Sequence, residues 1–175
     1  MKQENNHFAL FGLPVQFALE GDGLERAYRQ VQSQVHPDRF ASASDAEKRV
    51  AMQWATRANE AFQTLKSPLK RAAYLCELHG ADLATHSNTA MPSAFLMQQM
   101  EWREALQEAR TSGGSEPLQA LESELKAMQK QFQRTLEQQL DQQTDYAAAA
   151  ESVRQWMFVD KFAAEIDAAY AAIEN

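Results

Sequence analysis

The side chains best suited to chemistry in this 175-residue chain stand together in the stretch QSQVHPDRF, where His36, Pro37 and Asp38 are consecutive. An imidazole beside a carboxylate is the proton-handling part of a nucleophilic triad. No serine or cysteine nucleophile, second acid or metal cluster is anchored nearby, and one His with one Asp makes no triad. A metal needs several ligands at set spacings, which His7, His36, His79, His86 and Cys76 do not provide. Cys76 is the only cysteine, so an internal disulfide, a CxxC zinc knuckle and a four-thiolate cluster site are ruled out. No catalytic residue, metal or cofactor is expected. Two readings are left for the tripeptide. It punctuates an interhelical turn, as such residues do in many loops, or it is a recognition element. Pro37 cannot extend a helix and biases Val35 and His36 away from one, so both polar side chains stand on a stiff turn with little ordering entropy left to lose.

Such a turn needs a helix on each side, and the apolar periodicity supplies them. No stretch alternates like a strand of any length, whereas apolar residues recur at spacings of 3, 4 and 7, so the fold class expected is all-α. A short helical or turn segment around Phe8 to Leu13 ends at Pro14. Asp22 and Glu25 read as a capping box opening a helix with Leu24, Tyr28, Val31 and Val35 on one stripe. Ser44 and Glu47 open the next, with Val50, Trp54, Ala58, Phe62 and Leu65 as its inward face. Ser67, Pro68 and Gly80 bound a third helix.

Residues 80–92 lose the periodicity and gather Gly, Asn, Ser, Thr and Pro, which marks a domain boundary. Beyond it the spacing predicts one helix from about Ser93 to Arg110 and a second carrying Leu118, Leu125, Phe132 and Leu140. A third, from about Asp145, carries Trp156, Phe162, Ile166 and Ile173. Short connections make the three antiparallel neighbours, hence a three-helix bundle.

Composition narrows the partners. A formal net charge of -7 argues against nucleic acid, whose phosphates are held by clustered Lys and Arg, and favours a protein partner with a basic patch. The start MKQENNHFALFGLP lacks the uninterrupted apolar core of a signal peptide, and no run approaches the roughly 18 apolar residues of a membrane span. A soluble, cytoplasmic protein with no membrane contact is expected.

The helix from Ser93 carries two apolar stripes. At about 100° per residue, Phe95, Trp102, Leu106 and Ala109 fall together and face the bundle, while Leu96, Met97, Met100, Glu101 and Glu104 lie on roughly the opposite side. Either this helix is sandwiched between the two halves of the chain, or the second stripe is an exposed apolar patch rimmed by acids, which marks a partner site.

The order of amphipathic helix, HPDRF loop and helix ending ANEAFQTLKSPLKRAAYL resembles a J domain over residues 6–76. With HFALFGLP before it, LHGADL after it and AFLMQQMEWREAL in the second half, the whole chain is similar to the HscB family of iron-sulfur cluster co-chaperones. The resemblance implies an N-terminal J domain with its connecting helix over 1–79, a linker over 80–92 and a scaffold-binding three-helix bundle over 93–175. It implies no enzyme, but a co-chaperone that stimulates the ATPase of an HscA-type chaperone of the DnaK class and brings it the scaffold IscU. His36, Pro37 and Asp38 then form the HPD motif that contacts the chaperone, joined by Arg26, Arg29 and Arg39. The family's scaffold contacts carry over to Leu96, Met97, Met100, Glu101, Glu104 and Phe158.

Overall fold

The computed structural model describes residues 6–83, 91–112 and 115–173, and all of its regular elements are helices. Helix α1 (His7–Leu10) is one turn, capped by the Asn6 side chain, which accepts from the Ala9 N–H at 2.8 Å. Gly12, at φ 63°, turns the chain where a side chain would be strained. Helices α2 (Gly21–Val35) and α3 (Asp45–Lys66) pair around a 3-10 turn at Pro37–Phe40. Helix α4 (Pro68–Leu78) follows at once, with the Ser67 hydroxyl accepting from the Lys70 N–H at 3.4 Å.

Helices α5 (Ser93–Ser112), α6 (Glu116–Glu137, extended by a π-helical turn at Gln138–Gln142) and α7 (Tyr146–Ile173) form the bundle. The all-α expectation holds among the described residues. Residues 84–90 of the expected linker, His86 among them, lie outside those described, as does the side chain of Ile173.

Two local expectations fail. Helix α2 begins one residue early, at Gly21, and its N-cap Glu20 makes no side-chain cap. The Glu25 carboxylate is turned instead to Arg29 at 3.2 Å and Lys66 at 4.0 Å, so the Asp22/Glu25 capping box does not form. The inward face of α3 is also shorter than its pattern. Ala58, Phe62 and Leu65 are buried, but Val50 is 52% and Trp54 42% exposed. The cause is α2: its Tyr28 stacks on Phe62 at 4.1 Å, and its one buried side chain, Leu24, is near its start, while past Val31 the helix runs Gln32, Ser33 and Gln34 and offers the first half of α3 little apolar cover.

The two halves share one continuous core. Phe8, Leu65 and Leu75 belong to the same buried cluster as Trp102, Leu125 and Val153. The junction is α4 against α7. Ala72 in α4 and Ala149 and Ala150 in α7 are all buried, and such small side chains let helices approach closely. The ring of His79 stacks on Tyr146 at 4.0 Å and 7°. Asp141, in the turn after α6, accepts from the backbone N–H groups of Phe17 and Ala18 at 2.7 and 2.8 Å, one with each carboxylate oxygen. Buried Phe17 in turn lies 5.0 Å under the Arg71 guanidinium, which donates to the Leu65 carbonyl at 2.6 Å.

Candidate functional site

Two surfaces gather the residues that the sequence singles out. At the first, α2 stops at Val35 because His36 adopts extended dihedrals (φ -60°, ψ 133°) ahead of Pro37, the first residue of the 3-10 turn. The backbone N–H of Asp38 donates to His36 Nδ1 at 3.3 Å, and the same nitrogen lies 3.5 Å from Asp38 Oδ2. Arg39 donates to the Ser33 carbonyl at 3.2 Å, tying the turn back onto α2. The tripeptide therefore punctuates the turn while His36 and Asp38 display their side chains, Asp38 at 91% exposure; the side chain of Pro37 lies outside those described. A carboxylate fixed in this way is ready to accept a bidentate guanidinium. Arg26 and Arg29 are both exposed on α2, the latter in a surface pair with Glu25. Such a pair is worth a few tenths of a kcal/mol and is readily exchanged for an acid on a partner.

The second surface is on α5. Phe95, Trp102, Leu106 and Ala109 are buried, as their spacing predicts. Leu96, Met97 and Met100 are 46%, 65% and 64% exposed, so the helix is not sandwiched. Glu101 and Glu104 are exposed beside them. Phe158 of α7 is half-buried and meets Phe95 edge-on at 6.4 Å, which sets it beside the first turns of α5.

Little else offers chemistry. Burial pushes the Cys76 thiol up to about 11, so it is neither an activated nucleophile nor a ready ligand at neutral pH. Burial, then the nearby Arg57, lowers His7 and favours its neutral form. Among the described residues no group of three or more His, Cys, Asp or Glu is placed to hold a metal, and no helix is long and apolar enough to cross a membrane. Sequence reasoning missed Asp141. Its partners lie more than a hundred positions away, and no local signal marks it.

The chain is 55% identical to the co-chaperone protein HscB homolog of Bordetella petrii over 168 residues, which cover 96% of this chain and 98% of that one. It belongs to the HscB co-chaperone family. The HscB homolog of Paraburkholderia phymatum is 53% identical over 98% of this chain and 97% of its own. Chaperone HscB from Vibrio cholerae superposes with a TM-score of 0.81 at 38% identity, covering 97% of this chain and 99% of that one. Human co-chaperone HscB gives 0.86 at 31%, covering 93% and 81%. The family model described as the HscB C-terminal oligomerisation domain matches residues 91–167, from just before α5 to within α7. In this HscB-family chain the J-type turn and the α5 stripe belong to one continuous body.

Proposed function

We propose that this HscB-family protein couples an HscA-type ATPase chaperone to the iron-sulfur scaffold IscU. His36, Pro37 and Asp38, with Arg26, Arg29 and Arg39, dock on the ATPase domain. Asp38 accepts charged hydrogen bonds from an arginine there, and hydrolysis of ATP quickens. Leu96, Met97, Met100, Glu101, Glu104 and Phe158 hold the scaffold, so the client arrives where the chaperone closes. The protein itself makes and breaks no bonds and works in the cytoplasm, without nucleic acid or membrane. Domain bounds of 1–79 for the J domain and 93–175 for the scaffold-binding bundle suit this division of labour.

The observation that carries the reading is the exposure of Leu96, Met97 and Met100 on a helix whose other stripe is already buried. Such side chains repay burial by roughly 1.5 to 3 kcal/mol each, enough for a few to dominate a complex. Calorimetric titration into IscU tests it. The wild type is expected to bind, and the Leu96→Ala/Met97→Ala/Met100→Ala variant to lose most of that affinity while keeping its Tm within a few degrees. A large fall in Tm would mean that the stripe is core. If the wild type fails to bind IscU yet stimulates a chaperone ATPase, the protein is a J-type co-chaperone for another client.

A further inference from the structure

The exposed stripe of α5 can serve a partner only if the helix is held at one rotation about its own axis, and the apolar contacts beneath it are tolerant of small turns. Trp102, 1% exposed, points its indole N–H at Glu124 Oε1 of α6, at 2.9 Å. Gln98, one turn earlier on α5, donates its side-chain N–H to the same oxygen at 2.8 Å. The Gln98 amide also reaches Glu101 Oε2 at 3.4 Å. Glu124 stands on a firm base, since Leu121 and Leu125 on either side of it are buried. Two donors spaced four residues apart on one helix thus converge on a single carboxylate oxygen of the next. A rotation of α5 that turned Met97 and Met100 inward would pull both donors away from it, and charge-assisted hydrogen bonds are directional as well as strong.

We infer that Glu124 is a positioning residue for the α5 partner surface: through Trp102 and Gln98 it sets the rotation of α5 that presents Leu96, Met97 and Met100, and through Gln98 it orients Glu101. Glu124 need not touch the partner. The inference rests on the scaffold-binding reading for its consequence, but the orientation it describes belongs to this chain alone.

The test uses the full chain carrying methyl-labelled methionine, with Glu124→Leu, Glu124→Gln and Gln98→Ala variants. Glu124→Leu should shift the Met97 and Met100 methyl resonances while Met157, in α7 of the same bundle, stays in place. A general loosening of the bundle would move all three. Glu124→Gln keeps an oxygen acceptor and should restore the wild-type spectrum. Gln98→Ala guards against a leucine variant that fails to fold, because it removes a half-buried donor of α5 and leaves the carboxylate in place, and it should move Met97 and Met100 by a smaller amount. In titrations against IscU, Glu124→Leu should weaken binding by about tenfold, with Glu124→Gln within about threefold of the wild type. Combining Glu124→Leu with Met97→Ala/Met100→Ala should cost less than the sum of the two effects. Unmoved Met97 and Met100 resonances in both Glu124→Leu and Gln98→Ala would overturn the inference. So would a Glu124→Gln variant as weak as Glu124→Leu, which would make Glu124 a direct charged contact. If wild-type protein does not bind IscU, the scaffold reading fails, and the methionine spectra alone decide the positioning role.

Discussion

Asp38 carries its carboxylate almost wholly in solvent, on a turn whose shape is set by the backbone and by the Arg39 tie to Ser33. Asp38→Asn should therefore abolish stimulation of the chaperone ATPase and leave helical content and Tm almost unchanged. Stimulation that survives the change would remove the HPD turn from the mechanism. Cys76 behaves in the opposite way, being fully buried in α4. Its thiol is held protonated well above the pH at which an unfolded cysteine ionises, so the native state binds the extra proton and stability should fall as pH rises from 9.0 to about 11. Thermal melts across that window should show the fall in the wild type and a shallower one in Cys76→Ala. Residues of this scale were legible in the sequence where their meaning is local. The HPD tripeptide is contiguous, and the α5 stripe repeats within one helix. Asp141 and Glu124 were illegible because each acts on groups from a different element.

Among the elements, one expected capping box forms and the other does not. The Ser44 box forms in full: its hydroxyl accepts from the Glu47 N–H at 3.3 Å, and Glu47 Oε2 accepts from the Ser44 N–H at 2.8 Å. Hydrogen bonds from the Ser44 hydroxyl and then its backbone lower the Glu47 carboxyl below its ordinary value. Ser44→Ala should lower Tm by a few degrees, the usual effect of losing a helix cap in a domain this size, and circular dichroism melts would detect it. The same signature at Asp22 failed because Glu25 had competing cations within reach. The α3 stripe failed at its start for a different reason. Periodicity says which residues share a face but not what the neighbouring helix offers it, and α2, largely polar past Val31, leaves Trp54 exposed, with Arg57 5.5 Å over its ring.

At the scale of the whole molecule, the composition shift over 80–92 marks a boundary between two halves, and one buried core runs through both. Loop chemistry marks a change in chain direction and is silent on what the flanking helices pack against. Calorimetry should accordingly give one cooperative endotherm for the full chain. Asp141→Ala, which strands two backbone donors, should lower it by several degrees or split it. Two well-separated transitions in the wild type would mean that α4 and α7 are not held as tightly as their shared core requires.

That Asp141 clamp bears on the proposed delivery as well as on folding. A flexible tether between two binding surfaces dilutes one ligand around the other, and the local concentration then depends on tether length. Here the clamp, the His79–Tyr146 stack and the α4–α7 contact tie the two halves directly to each other. In the delivery proposed above, a body of this kind serves as a ruler, offering the client to the chaperone at one distance and one angle. A lesion at the clamp would then leave each two-protein affinity intact and surface only when all three proteins are mixed, as a client that is bound but wrongly aimed.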